Sequence, residues 1–309
     1  MIVLPQDSHV HSQWSWDAPR GDMERTCARA LEVGLKSIAF TEHVDLTPWD
    51  LLGARIPEGF RAHLEDGILL ADPLDVAGYL ESVQRCRQLF PDLRVLSGLE
   101  VSEPHLHEEA ITKLLAANEF DHVLGSVHSL AHLARPGRAP DGPVTERPAS
   151  HPLLAAAPGQ AKMPGVRVEI ASSYSQRPAL DVVRGYLAEV VKMAESDMPY
   201  SVLAHIDYPA RTWPASAGPF EPELVEEEYR AALEALAASG RALEVNTRLH
   251  FPAQVLDWWR DAGGQAVTFG SDTHQPDRVA WEFEETAAMV AAHGYRPGPR
   301  PSYGMWARA

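Results

Sequence analysis

The chain has 309 residues, 45% of them apolar and 23% charged, and its 27 Lys and Arg against 43 Asp and Glu give a formal net charge of −16. That composition excludes intrinsic disorder and a fibrous repeat, and it allows either two domains or one α/β barrel. An acidic balance of this size argues against a nucleic-acid backbone as partner.

In chain order, an apolar run predicts a first strand over 2–4. A segment of helical period then predicts a helix over 22–33, started by Asp22 and stopped at Gly34. A strand over 36–40, a helix over 73–89, a strand over 93–99 and a helix over 107–117 follow. Next come a strand over 120–124, a Pro-, Gly- and Ala-rich stretch over 131–166, and a helix over 180–196. The last strands, over 200–203, 241–245 and 265–269, alternate with helices over 221–238, 253–261 and 277–293. Pro222 marks one helix start, and Gly240 and Gly263 mark two helix ends. Strands alternating with helices of this length imply parallel βαβ units, either closed into a barrel or left open as a doubly wound sheet. No dinucleotide or P-loop glycine motif follows any strand, so nucleotide-cofactor readings lose their main support. The stretch 131–166 reads as an insertion on the rim. The Pro-rich tail 297–309, with Tyr303 and Trp306, reads as docking on the body of a single domain spanning 1–309.

Apolar runs too short for a membrane span, an N-terminus without a basic leader, and only two cysteines (Cys27 and Cys86) predict a cytoplasmic protein.

There are 14 histidines, and their placement is the informative feature. An isolated His-x-His means little, because chance alone supplies about 0.6 such pairs in a chain of this composition. Context decides. In an extended segment residues i and i+2 face the same side, so His9 and His11 can meet one metal ion. Every later strand end also presents His, Asp or Glu: Thr41-Glu42-His43, Glu100, Val127-His128, His205-Ile206-Asp207, Glu244-Val245-Asn246 and Asp272-Thr273-His274. In α/β barrels catalytic residues collect at that C-terminal edge. Imidazole and carboxylate without thiolate suit Zn²⁺, Mn²⁺ or Fe. The pool exceeds what one ion needs, which points to a multinuclear centre where a carboxylate such as Glu100 bridges two ions.

These motifs resemble the PHP (polymerase and histidinol phosphatase) family of metal-dependent phosphoesterases. The chain looks most similar to the histidinol-phosphatase branch, through Ser8-His9-Val10-His11-Ser12, Thr41-Glu42-His43, Gly125-Ser126-Val127-His128, His205-Ile206-Asp207, Glu244-Val245-Asn246-Thr247 and Gly270-Ser271-Asp272-Thr273-His274. The resemblance implies a distorted (β/α)7 TIM-like barrel carrying three divalent metal ions. One ion would take His9, His11, Glu100 and Asp272; a second Glu100, His128 and His205; a third His43, His274 and Asp17. It further implies hydrolysis of a small phosphomonoester, with L-histidinol phosphate the best single substrate and Glu100, Asp272 and His274 the catalytic groups. The chain departs from that branch at Asn246-Thr247-Arg248-Leu249-His250, where the pattern is closer to Asn-Thr-x-Gly-Leu-Arg, and in the insertion after the fourth strand. Both segments would border the substrate.

Rival readings are another small-molecule or nucleotide phosphoesterase on the same scaffold, a metal-dependent amidohydrolase, and a non-catalytic metal-binding module. An amidohydrolase usually bridges its metals with a carboxylated lysine on the fourth strand, and Glu100 on the third fits that class less well. Arg177, Arg211, Arg248 and Arg278 are the candidate phosphate ligands. Asp207 and Glu244 read as orienting metal ligands, with Asn246 bonded nearby. Trp14, Trp16 and Trp49 read either as an aromatic wall for a ring-bearing substrate or as packing beneath a rim loop. His105, His107, His122, His132, His151 and His293 read as ordinary side chains, and His63 and His250 stay undecided.

Overall fold

Parallel neighbours need a crossover between them. The computed structural model, which describes residues 4–53, 58–132, 165–298 and 304–309, supplies a helix after each barrel strand. The strands are β1 (Asp7–Val10), β2 (Ser37–Val44), β3 (Arg94–Ser102), β4 (His122–Ser126), β5 (Val202–Leu203), β6 (Ala242–Asn246) and β7 (Ala266–Gly270). Each pairs in parallel with the next, and β1 returns to β7 through Asp7 and Phe269, so the sheet closes as a seven-stranded barrel. The intervening helices are α1 (Met23–Glu32), α2 (Val76–Leu89), α3 (Glu108–Ala117), α4 (Ala179–Glu195), α5 (Glu226–Ala238), α6 (Ala253–Asp261) and α7 (Phe283–Ala292).

Local chemistry sets the helix limits. Asp22 caps α1 by accepting from the Arg25 N–H at 2.9 Å, a contribution of about 1 kcal/mol. Helix α4 buries Val182, Val183, Tyr186, Leu187, Val190, Met193 and Ala194, one stripe of helical period. Two helices are shorter than the periodicity predicts. Residues Pro222–Val225 form a 3₁₀ turn ahead of α5, and α7 starts only at Phe283, because Ala280 and Glu282 adopt positive φ after a 3₁₀ turn at Pro276–Arg278.

The strands correct the sequence reading more sharply. Among the described residues the first strand is Asp7–Val10, and residues 2 and 3 of the run over 2–4 lie outside the described residues. Strands β2 and β3 run on to Val44 and Ser102, past the apolar runs that announced them. In each case buried polar residues continue the strand toward the barrel mouth, where hydrophobic patterning no longer applies.

Closure at the β1–β7 seam is partial. Among the described residues Asp7–Phe269 and the Val10–Thr273 bridge are its only pairings, and the start of β7 pairs instead with Trp306 and Ala307 of the tail. That segment forms an antiparallel hairpin with Tyr295–Pro297 and sets the Trp306 ring 4.9 Å from Phe269. The tail therefore docks on the body; Tyr303 lies outside the described residues.

A second, five-stranded sheet of very short strands sits beside the mouth: Leu64–Glu65, Ile68–Leu69, Trp49–Asp50, Arg167–Glu169 and Ser129–Leu130, in that order. Ser129–Leu130 and Arg167–Glu169 pair antiparallel, so the insertion leaves and re-enters through one stem, and residues 133–164 lie outside the described residues.

Candidate metal centre

The strand ends converge on Glu100. His9 and His11, on one side of β1 and its continuation, bring their Nε2 atoms within 3.0 Å of each other and 3.0 and 3.3 Å from Glu100 Oε2. His43 pairs in register with Glu100 and places Nδ1 3.3 Å from the same oxygen. The other carboxylate oxygen, Oε1, meets His205 Nε2 at 2.8 Å and His128 Nε2 at 3.2 Å. Asp272 Oδ1 lies 3.8 Å from His9 Nε2 and 3.5 Å from His11 Nε2. Asp17 Oδ2 contacts His274 Nε2 at 3.0 Å and His43 Nε2 at 3.4 Å. All nine residues singled out as ligands thus share one cluster. Among the described residues, four overlapping trios keep their donor atoms within 4.8 Å: His9/His11/Glu100, His9/His205/Asp272, His43/Glu100/His128 and His11/His43/His274.

Backbone geometry aims two of these side chains at a cost. His205 (φ 25°) and Asp272 (φ 50°) occupy the left-handed region, worth about 1–3 kcal/mol of strain each for a non-glycine residue. Hydrogen bonds hold them there: the His205 N–H donates to Glu244 Oε2 at 2.7 Å and the Asp272 N–H to the His9 carbonyl at 2.8 Å. Gly270 makes room for this, since a Cβ there would sit 2.0 Å from Glu244 Oε1.

Behind the candidate ligands runs a second layer that fixes the imidazole tautomers. His9 Nδ1 lies 2.7 Å from Glu244 Oε1. A carboxylate only accepts, so Nδ1 carries the proton and Nε2 keeps its lone pair. Two further histidines reach a carboxylate through a serine. His128 Nδ1 is 2.7 Å from Ser102 Oγ, which donates to Asp45. His11 Nδ1 is 3.0 Å from Ser15 Oγ, which donates to Glu42 Oε2 at 2.6 Å. Each serine spends its proton on the acid and must accept from the imidazole. Nε2 of all three histidines therefore presents a lone pair to Glu100.

Such an arrangement demands positive charge. Lone pairs on His9 and His11 Nε2, 3.0 Å apart, repel unless a cation or proton lies between them. The buried donor set of imidazoles and carboxylates without thiolate fits Zn²⁺, Mn²⁺ or Fe. Electrostatics agree. Burial opposes the charged form of His43, but Asp17, Asp45 and Glu100 outweigh it and lift its pKa from 6.5 to about 10. Burial likewise opposes charge on Glu100, yet His9, His43 and His128 hold its carboxyl well below the usual range. Asp272 is held down in the same way, by Arg211 and His9. His205 goes the other way: burial and Arg211 push it down to about 4, so it stays neutral.

A cavity of about 400 Å³ opens over the cluster. One side is apolar, made of Trp16, Trp49, Leu51, Phe60 and Leu69; the other carries Tyr208, Arg211 and Arg248. Arg211 NH1 is 2.5 Å from Asp272 Oδ2, and its Nε and NH2 find no protein partner among the described residues. Arg248 is half-exposed and donates through NH1 to the Asp272 carbonyl at 2.9 Å. Arg177 and Arg278 do not line the cavity: Arg177 donates to the Ala131 carbonyl, and Arg278 stacks 4.5 Å over Trp281.

The remaining candidates divide. Glu244 contacts His9 and His205, and Asn246 donates to it at 3.0 Å. Asp207 is buried off the cavity, pushed up to about 6 by burial. Trp16 and Trp49 line the cavity, whereas Trp14 packs on Gly78 of α2. His105, His107, His122, His132 and His293 lie off the cavity, as do His63 and His250; His151 lies outside the described residues. Sequence reasoning missed Ser15, Asp45 and Ser102 of the second layer and quoted Glu42 without giving it a role. The one signal for them was a polar residue beside or inside a motif strand end.

A model of the PHP domain matches residues 7–248. A protein named probable histidinol-phosphatase from Deinococcus radiodurans is 25% identical, with 94% of each chain aligned. A histidinol-phosphatase from Lactococcus lactis is 24% identical over 94% of this chain and 91% of that one. Among solved structures, the Lactococcus lactis histidinol phosphate phosphatase, crystallised with zinc, L-histidinol and phosphate, superposes with a TM-score of 0.69 at 22% identity, covering 94% of each chain. A putative histidinol phosphatase from Listeria monocytogenes gives a TM-score of 0.64 at 17% identity, covering 91% of this chain and 99% of that one.

Proposed function

The chain belongs to the PHP domain family, and from that premise we propose that it is a metal-dependent phosphomonoesterase acting on L-histidinol phosphate. One observation carries the reading: the Nε2 atoms of His9, His11, His128 and His205 converge on Glu100 beside a cavity that also holds two arginines. Three sites follow: His9, His11, Glu100 and Asp272; Glu100, His128 and His205; Asp17, His43 and His274. Divalent ions bound there would supply Lewis-acid charge and an activated water.

The chain's own residues do the rest. Arg211 and Arg248 orient the phosphate and offset the charge that develops on its equatorial oxygens. Asp272 is paired at Oδ2 with Arg211 and turns Oδ1 toward His9 and His11, where it would serve as a ligand; the proton given up by the activated water would reach the leaving alkoxide through solvent. His274 stays paired with Asp17 and holds that side of the site in place. The shared curated names of the relatives support the substrate.

Elemental analysis of the purified protein, paired with phosphate release over a panel of phosphomonoesters, tests the proposal. A metal-loaded protein that releases phosphate fastest from L-histidinol phosphate meets it. A flat response to that ester removes the substrate, and amide or lactone turnover without phosphate release removes the reaction class.

A further inference from the structure

The apolar side of the cavity is a wall that the phosphoester chemistry does not use. Trp16 anchors it: its ring centroid lies 5.1 Å from Phe60 and 6.0 Å from Trp49, tilted 50° and 63° to them. Trp49 in turn stands edge-on to His128, 5.9 Å away, so the wall begins where the metal ligands end. Leu51 and Leu69 fill the remainder. The wall offers nothing for a polar alcohol to bond. Trp16 Nε1 donates to Asp45 Oδ2 at 2.7 Å, and Trp49 Nε1 is buried out of reach of solvent, with no hydrogen-bond partner among the described residues. The carboxylates that line the cavity are also engaged: Asp17 through Oδ2 with two histidines, its Oδ1 being buried, Asp45 with Ser102 and Trp16, Glu100 with the histidines around it, Asp272 with Arg211, and Glu169 with the Ala171 and Ser172 N–H groups. A phosphate held by the metal cluster with Arg211 and Arg248 would leave the alcohol portion of the ester to extend along Trp49 toward Trp16 and Phe60.

We propose that Trp16, Trp49 and Phe60 form a ring-recognising subsite that selects phosphomonoesters of arylalkyl alcohols by the face of the ring, so that a benzene ring serves as well as an imidazole. This rests on the phosphomonoesterase reading above. Aromatic faces stack on flat rings whatever heteroatoms those carry, whereas a polyol gains nothing from such a wall and loses its hydration there.

The test compares kcat and KM for 2-phenylethyl phosphate, L-histidinol phosphate and glycerol 1-phosphate in the metal-loaded protein. The ring esters should exceed glycerol 1-phosphate by about tenfold or more in kcat/KM and stay within about threefold of each other. Phe60→Ala should cut the ring-to-polyol ratio by about tenfold through KM, and Phe60→Tyr should restore most of it. Circular dichroism verifies that both variants fold. Equal turnover of all three esters, a ratio untouched by Phe60→Ala, or activity on L-histidinol phosphate alone overturns the ring-face subsite while phosphatase activity stands. Release of phosphate from none of the three overturns the phosphomonoesterase reading itself.

Discussion

Glu244 can be tested almost in isolation, because it touches a proposed metal ligand without being one. Its Oε1 accepts from His9 Nδ1 at 2.7 Å, and its Oε2 accepts from the His205 N–H at 2.7 Å and Asn246 Nδ2 at 3.0 Å. Glu244→Gln keeps the shape and halves the acceptors. If the amide oxygen takes the Oε2 position, the NH₂ faces His9 Nδ1, and that nitrogen can only accept. The proton then moves to Nε2, which points at the metal cluster. If the oxygen takes the Oε1 position instead, the His205 N–H loses its acceptor at a residue already strained at φ 25°. A buried donor left facing a donor costs about 1–3 kcal/mol. Disturbing the partner of a ligating histidine weakens metal binding by about 10–100-fold. Competition against a chelator of known affinity for Zn²⁺ reads the second quantity, and chemical denaturation of the metal-free protein reads the first. Glu244→Gln should lose at least about tenfold in Zn²⁺ affinity, with activity partly recovered at high metal. Affinity within about twofold of the parent protein would show that Glu244 does not set the His9 tautomer, and the second-layer argument would fail.

Removing two ligands should be harsher: the His9→Ala/His11→Ala double variant is expected to lose bound metal and phosphate release while its far-ultraviolet circular dichroism stays that of the barrel, and undiminished turnover would contradict the metal model. Gly270→Ala would place a methyl 2.0 Å from Glu244 Oε1 and 2.6 Å from His9 Cβ, in a place with no room to yield. Its denaturant midpoint should drop by an amount equivalent to about 1–3 kcal/mol, and an unchanged midpoint refutes the packing argument. Glu189 gives a pH dependence. Burial opposes its charge, but His105, Lys192 and Arg167 prevail and lower its pKa from 4.5 to about 2. A depressed carboxylate contributes its stability in full above pH 4.5 and loses it as pH falls through 2. Glu189→Gln should therefore cost about 1–2 kcal/mol near neutrality, after discounting the exposed Lys192 for screening, and nothing in strong acid. A gap between the two proteins that persists below pH 2 would rule out the ion-pair explanation.

What the sequence reveals and what it hides follow from the same physics. Helices α1, α2, α4 and α6 were legible because their buried stripes repeat at helical period and Asp22, Gly34 and Gly263 punctuate them. The candidate ligands were legible because seven separate strand ends each carry an imidazole or carboxylate. Strand β1 was not, because Asp7-Ser8-His9-Val10 is polar where a strand predictor looks for apolar residues. It lies in the sheet all the same, fully buried, because its polar groups have partners: the Ser271 and Ala280 N–H groups for Asp7, Glu244 for His9. The short sheet beside the mouth left no trace, since two- and three-residue strands have no period to detect. The serine relays were invisible for a different reason. Ser15 and Ser102 acquire their role only when folding brings Glu42 and Asp45 to them, and no spacing in the chain encodes that meeting.

The charge of the site raises a question that the global count cannot answer, namely how an anion would enter an acidic protein. Around the cluster, Asp17, Asp45, Glu100, Glu169, Glu244 and Asp272 stand against Arg211 and Arg248, so with the histidines neutral, as ligands are, six carboxylates and two guanidiniums leave a surplus of four negative charges. Three divalent ions would turn that into a surplus of two positive charges. At the short distances and reduced dielectric of a buried site, such a reversal outweighs a diffuse surface charge of −16 spread over the whole molecule and screened by salt. Inorganic phosphate should therefore bind the metal-loaded protein and lose at least about tenfold in affinity once a chelator has stripped it, a difference that titration calorimetry resolves. Equal phosphate affinity in the loaded and stripped proteins would mean that the arginines alone hold the anion, and that the buried carboxylates cluster there for some purpose other than holding cations.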